Sequence, residues 1–89
     1  MTEEQIEKKV VDTMVNNKLL AQDESITRDA LLREDYGFDS INIVQLIVLL
    51  ETEFEIEFDD AELTMDHFSS IGTVIRLVQQ HLLRESFNV

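Results

Sequence analysis

Gly37-Phe38-Asp39-Ser40-Ile41-Asn42-Ile43-Val44-Gln45-Leu46-Ile47-Val48-Leu49-Leu50-Glu51-Thr52-Glu53-Phe54 opens with a turn-former and two capping side chains, then continues as an apolar helical pattern. Ile43, Leu46, Ile47, Leu50 and Phe54 recur at i, i+3, i+4 and i+7, the stripe of a helix that buries one face. The pattern predicts a central helix from Asp39 or Ser40 to near Phe54. Ile41, Val44 and Val48 form a second stripe beside the first. That stripe has two readings: a central helix buried almost all round, or an exposed face that meets a partner or a cargo. Ser40 falls at the helix N-terminus, where unpaired N–H groups and the positive end of the helix dipole favour a phosphate. The serine is either an ordinary cap or the attachment point of a phosphate-bearing group.

Away from this helix the chain is also helical in pattern. Thr2 and Gln5 match a capping box, and Ile6, Val10 and Met14 recur every four residues, with Val11 beside them. A first helix over about residues 3–17 follows. Residues 18–39 show no sustained period and read as a long loop pinned by Leu19, Leu20, Ile26, Leu31 and Leu32, with a turn near residues 28–32. Residues 53–58 alternate strictly, which by period alone is a strand. A single strand has nothing to pair with, so a helix end and an extended segment are expected. Residues 64–68 suggest a short third helix capped by Thr64. Ser70 caps a last helix whose stripe is Ile71, Val74, Val78 and Leu82, flanked by Ile75 and Leu77, and residues 85–89 are expected to fray. The expected architecture is all-α: a small four-helix bundle of three long helices and one short one, with a long loop between the first two. Residues 1–89 read as a single domain, and Met1 followed by a clean helix start favours a free-standing chain.

Composition narrows the function. The chain carries 19 acidic and 7 basic residues, a net charge of −12, which disfavours nucleic acid and anionic membrane surfaces. An apolar content of 44% is too high for an acidic disordered chain. Without cysteine there is neither a disulfide nor a thiolate metal site. No apolar run reaches the roughly 18–20 residues of a membrane span, and the N-terminus lacks signal-peptide character, so a cytoplasmic protein is expected. Serine hydrolysis is unsupported: Ser40 has no Gly-x-Ser-x-Gly elbow and neither His67 nor His81 lies near it in sequence. The two isolated histidines, His67 and His81, make no metal site and are expected to be at the surface or half-buried. Residues 51–66 hold eight carboxylates and no basic residue, either a solvated face or a docking surface for Lys- and Arg-rich partners. No EF-hand loop is present.

Taken in order, residues 36–41, the helix ending Leu50-Glu51-Thr52-Glu53-Phe54, residues 55–58 and Phe68-Ser69-Ser70-Ile71-Gly72-Thr73-Val74 resemble acyl carrier proteins over nearly the whole chain. The resemblance implies a non-catalytic carrier. It implies 4′-phosphopantetheine esterified to Ser40 by a separate phosphopantetheinyl transferase, with Asp39 helping to position both. It implies acyl cargo held as a thioester on that arm and delivered to acyl-loading and acyl-transferring enzymes with basic docking surfaces, by a monomeric carrier. Ile41, Val44, Gln45, Val48, Glu51 and Glu53 are the expected partner-binding residues. Members serving general fatty acid synthesis usually carry acidic residues just after the serine. Here the matching residues are Asn42 and Gln45, which points to a specialised polyketide, hybrid or modified-lipid pathway. An aminoacyl or peptidyl carrier, and an unmodified helical interaction module, are the alternatives.

Overall fold

The structure, a computed structural model, describes residues 1–21 and 26–87. Helix α1 spans Glu3–Asn16, α2 Leu32–Tyr36, α3 Ser40–Phe54 and α4 Ile71–Phe87, and a single 3₁₀ turn covers Asp60–Glu62. Among the described residues the only pairing of strand type is one isolated bridge, Leu31 to Ser70. The described residues are therefore all-α, with three long helices and one short one, as expected.

The ends of these helices follow from their capping chemistry. Thr2 Oγ1 accepts from the Gln5 amide at 3.2 Å while Gln5 Oε1 accepts from the Thr2 amide at 2.9 Å, which starts α1. Ser70 and Thr73 make the same reciprocal pair at the start of α4. Two further α4 amides, which a helix start leaves without intrahelical partners, are met by the first loop: Ile71 donates to the Ala30 carbonyl at 3.2 Å and Gly72 to the Arg28 carbonyl at 2.9 Å. A Cβ on Gly72 would sit 3.1 Å from that Arg28 oxygen, so glycine permits the close approach. Arg28 also reaches α1, at 2.6 Å from Glu3 and 2.8 Å from Glu7.

α1 packs against α3 and α4. Ile6, Val10 and Met14 meet Leu46, Leu50, Val74 and Val78, all essentially inaccessible, so the predicted stripes of all three long helices converge on one core. The alternating segment behaves as a helix end plus an extended stretch. Glu55 takes a left-handed conformation (φ 54°), and Phe54, Ile56 and Phe58 turn inward while Glu55 and Glu57 face water.

Several expectations need correction. The short α-helix lies inside the first loop, not at residues 64–68. There the chain makes successive turns, with His67 and Phe68 amides bonding to the Thr64 and Met65 carbonyls. These bonds span three residues rather than four, and the chain leaves the turns at once, with Phe68 buried in the core and the Ser69 carbonyl accepting from the Leu32 amide. Leu31, expected as a core pin, is exposed: it is the residue that bridges to Ser70, and its side chain points away from the core. Its neighbour Leu32 is fully buried instead. α4 runs on to Phe87 where fraying was expected from residue 85, and residues 88–89 lie outside the described residues.

Candidate functional site

The corner between α2 and α3 is built by three consecutive side-chain types. Gly37 adopts φ 70° and ends α2 in a paired cap: its amide donates to the Arg33 carbonyl at 3.1 Å and the Phe38 amide to the Leu32 carbonyl at 3.0 Å. Phe38 then drops into the core, 5% exposed, and anchors the corner. Asp39 turns the chain outward again as the N-cap of α3. Its Oδ1 accepts from the Asn42 amide at 2.9 Å, and Asn42 Oδ1 accepts from the Asp39 amide at 3.1 Å.

Ser40 is thus the first residue of α3 rather than its cap, and it is exposed. Asp39 does the capping, so the Ser40 hydroxyl makes no hydrogen bond among the described residues. The helix start also leaves the Ser40 and Ile41 amides without intrahelical partners. An anion on the Ser40 oxygen would sit beside these donors and at the positive end of the α3 dipole. The donor set therefore fits an esterified phosphate.

Ile41, Val44 and Val48 remain 67%, 59% and 54% exposed, which decides between the two readings of the second stripe in favour of an open face. Gln45 is exposed beside them. Ser40, Ile41, Val44, Gln45 and Val48 share one side of α3, with Val48 about 12 Å along the axis from Ser40 at 1.5 Å per residue. The two acidic candidates do not join them. Glu51 folds back to accept from the Phe58 amide at 3.0 Å and so holds the extended segment against α3. Glu53 faces α1, where it lines a polar groove with Lys8, Lys9 and Asp12. Asn42 is half-buried and occupied by the cap.

Two features escaped the sequence reading. Leu19 and Asn17, from the end of α1 and the loop after it, meet Val44, Gln45, Val48 and Leu49 to line a groove of about 340 Å³. The second is a polar clasp. His81, expected at the surface or half-buried, is 8% exposed, and its Nε2 lies 2.7 and 2.8 Å from the two Glu62 carboxylate oxygens, while Arg84 donates to Glu62 at 2.8 Å. The Phe58 ring stands edge-on to the imidazole, 5.0 Å away. Burial alone would raise the Glu62 pKa. The Asp59 amide, His81 and Arg84 outweigh it and hold the carboxyl below its ordinary value. No local pattern joins residues 62, 81 and 84, which meet only when α4 packs over the 3₁₀ turn.

Comparison with known proteins shows the family. A family described as "Phosphopantetheine attachment site" matches residues 9–78. The chain belongs to the acyl carrier protein family. Among its relatives, an acyl carrier protein of Thermotoga maritima is 31% identical over 72 residues, covering 81% of this chain and 86% of the relative. One of Clostridium perfringens is 32% identical over 68 residues, covering 76% and 87%. An acyl carrier protein catalyses no reaction itself. Its prosthetic group is 4′-phosphopantetheine, and it works with a phosphopantetheinyl transferase and with acyl-handling enzymes. No described helix of this acyl carrier protein is long and apolar enough to cross a membrane.

Proposed function

We propose that Ser40 is the attachment point of the 4′-phosphopantetheine arm, and that residues 1–89 act as one cytoplasmic carrier domain in a specialised acyl pathway. The observation that carries this is the free, exposed Ser40 hydroxyl on the first turn of α3, between the Asp39 cap and an open apolar face. When attached, the arm supplies a thiol that holds an acyl group as a thioester. The protein's residues do the rest. Phe38 and the Gly37 turn hold the corner rigid, Asp39 keeps the helix start from unravelling, and the helix dipole favours the phosphodiester by about 0.3–1 kcal/mol.

Delivery needs encounters that are fast and short-lived. Exposed Glu53, Glu55, Glu57, Asp60 and Asp66 present negative charge that draws in enzymes with basic surfaces. Support for a specialised pathway comes from Asn42 and Gln45. One is tied into the cap and the other is neutral, so the first two turns after Ser40 offer no carboxylate to a partner that expects one.

Incubation of the apo protein with coenzyme A and a broad-specificity phosphopantetheinyl transferase should add the mass of one phosphopantetheine, and Ser40→Ala should add none. Addition to Ser40→Ala, or none to the wild type, would overturn the assignment. Loading the holo protein from acyl and from aminoacyl donors then separates an acyl carrier from an aminoacyl carrier by mass.

A further inference from the structure

The chain has three lysines, Lys8, Lys9 and Lys18, and its other four basic residues are arginines. An amine on a flexible stem can attack an activated acyl group, whereas a guanidinium stays charged and cannot. The helices sort the three amines by their distance from Ser40. Lys8 and Lys9 line the polar groove with Glu53, and the Lys9 Nζ sits 4.9 Å from the centre of the Phe54 ring. Glu53 and Phe54 are 13 and 14 residues beyond Ser40, about 20 Å along the α3 axis. Lys18 is at the other end, because α1 and α3 run in opposite directions. Its neighbours Asn17 and Leu19 line the uncharged groove with Val44 and Gln45, only four and five residues beyond Ser40, about 6–8 Å along the same axis. Lys18 itself lines the adjoining cavity, which shares Leu19 with that groove. Its backbone is fixed in a left-handed turn (φ 63°), where its own amide donates to the Val15 carbonyl at 3.0 Å and the Leu19 amide to the Met14 carbonyl at 2.8 Å. The residue is exposed and makes no ion pair among the described residues.

Resting on the assignment of Ser40 above, we propose that Lys18 is an internal acyl acceptor: cargo left on the arm passes to the Lys18 Nζ and ends as an amide. The neutral amine attacks the thioester carbonyl carbon. A C–N bond forms, the C–S bond breaks, and sulfur leaves as the thiol with the proton that the amine gives up, so no other reactant is needed. Tethering supports the step, since an arm anchored at Ser40 holds its cargo near this corner at an effective concentration of roughly millimolar. Residues 40–50 carry no charged side chain, so nothing along that part of α3 draws the amine into an ion pair. Lys8 and Lys9 are disfavoured by distance, and Lys9 also by its seat over the Phe54 ring. Without an enzyme's preorganised oxyanion donors the transfer is slow. It therefore drains cargo only from a carrier that waits, and each event leaves the arm free and the chain one positive charge poorer.

A broad-specificity phosphopantetheinyl transferase with hexanoyl-coenzyme A installs the loaded arm in one step. The desalted protein is held for about a day near pH 8.5 and then treated with neutral hydroxylamine, which cleaves thioesters and leaves amides. The retained hexanoyl mass is located by peptide mapping. It should appear on Lys18 at least tenfold above Lys8 and Lys9, at a rate unchanged over a tenfold range of protein concentration. Lys18→Arg, which keeps the charge, should cut the rate at least tenfold, while the double variant Lys8→Arg, Lys9→Arg should stay within twofold of wild type. Ser40→Ala with about 0.1 mM hexanoyl-coenzyme A in solution should label Lys18 about tenfold more slowly, the ratio of free to tethered thioester. Equal labelling of the three lysines, a rate that scales with protein concentration, or a loaded wild type that keeps no hydroxylamine-resistant mass would each overturn the proposal and leave the Ser40 assignment standing. A wild type that takes up no hexanoyl-phosphopantetheine removes that assignment and this proposal with it.

Discussion

Replacing Glu62 by glutamine tests whether the clasp between the 3₁₀ turn and α4 holds this small fold together. Glutamine keeps the size of the side chain and an oxygen for the Asp59 amide, now 2.9 Å from Glu62 Oε1, but removes the charge. What is lost is the charge-assisted bond to His81, between side chains only 13% and 10% exposed, for which about 1.5–3 kcal/mol is typical. Arg84 is 55% exposed, so its share is about 0–1 kcal/mol. The amide oxygen recovers roughly one neutral hydrogen bond, about 1 kcal/mol. The net expectation is a destabilisation of about 2 kcal/mol at neutral pH, or a fall in Tm of roughly 8–16 °C for a domain of this size. The pH dependence gives a sharper signature. The Glu62 pKa is lower folded than unfolded, so the unfolded chain binds the proton more readily. The stability this carboxylate adds is complete above the ordinary glutamate value of about 4.3 and drains away as pH falls through the lowered folded value. Urea unfolding of wild type and Glu62→Gln in parallel from pH 7 to pH 3 isolates this term, because the remaining carboxylates are common to both proteins. The gap should persist from neutral pH down to the ordinary glutamate value and close only toward the acid end. A gap below about 0.5 kcal/mol, or one that does not change with pH, would refute the reasoning, as would an equal loss from Arg84→Ala.

Other expectations concern the corner and the charge. Gly37→Ala meets no atom within 4 Å, so its cost is the left-handed backbone alone, about 1 kcal/mol, read as a Tm lower by roughly 4–8 °C. Asn42→Ala should lose about 0.5–1 kcal/mol by freeing the Asp39 amide, while Asn42→Glu, which can bond the same amide and places negative charge in the first turn, should hold or gain stability by the same denaturant measurement. Leu46→Ala removes a fully buried side chain of α3 and should cost about 2–5 kcal/mol, enough to leave little folded protein at 37 °C by circular dichroism. With a net charge of −12, Tm should climb on adding salt or millimolar magnesium, and a flat response in differential scanning calorimetry would mean that the carboxylates are too far apart to repel.

The long helices were legible because their signals are local. Ile6, Val10 and Met14 in α1, or Ile43, Leu46 and Leu50 in α3, repeat at the helical period because the same side of each helix is buried. Capping pairs such as Thr2 with Gln5 lie three residues apart and mark the starts directly. The alternation of Phe54, Ile56 and Phe58 reported burial correctly. Only the absence of a pairing partner distinguished an extended segment from a strand. α2 was not legible as a helix, since five residues are too few to show a period. It exists because Gly37 closes its end, Leu32 is drawn into the core, and the Asp35 carboxylate accepts from the Leu31 amide at 2.7 Å. The Glu62–His81–Arg84 clasp and the groove under Leu19 were illegible for one shared reason: each joins residues from separate elements whose meeting depends on packing.

The same division runs through the candidate site. Ser40 and Asp39 could be read from sequence because a cap and the residue after it are adjacent, although which of the two did the capping could not. Asp39 takes that role because its carboxylate reaches the Asn42 amide, and this leaves the serine oxygen free. The exposure of Ile41, Val44 and Val48 could not be read, because apolar residues on both sides of α3 suit a buried helix equally well. Exposure follows from arithmetic on the fold: α1 and the extended segment after α3 cover the side that carries Ile43, Leu46, Leu50 and Phe54, and no described element covers the other. Three aliphatic side chains left more than half in water contribute less to folding than the buried stripe does, since unfolding exposes only their remaining covered part. The core cluster does not include them, so substitutions along this stripe should leave the bundle intact. That separation lets one face of α3 pack the fold while the other stays open beside Ser40.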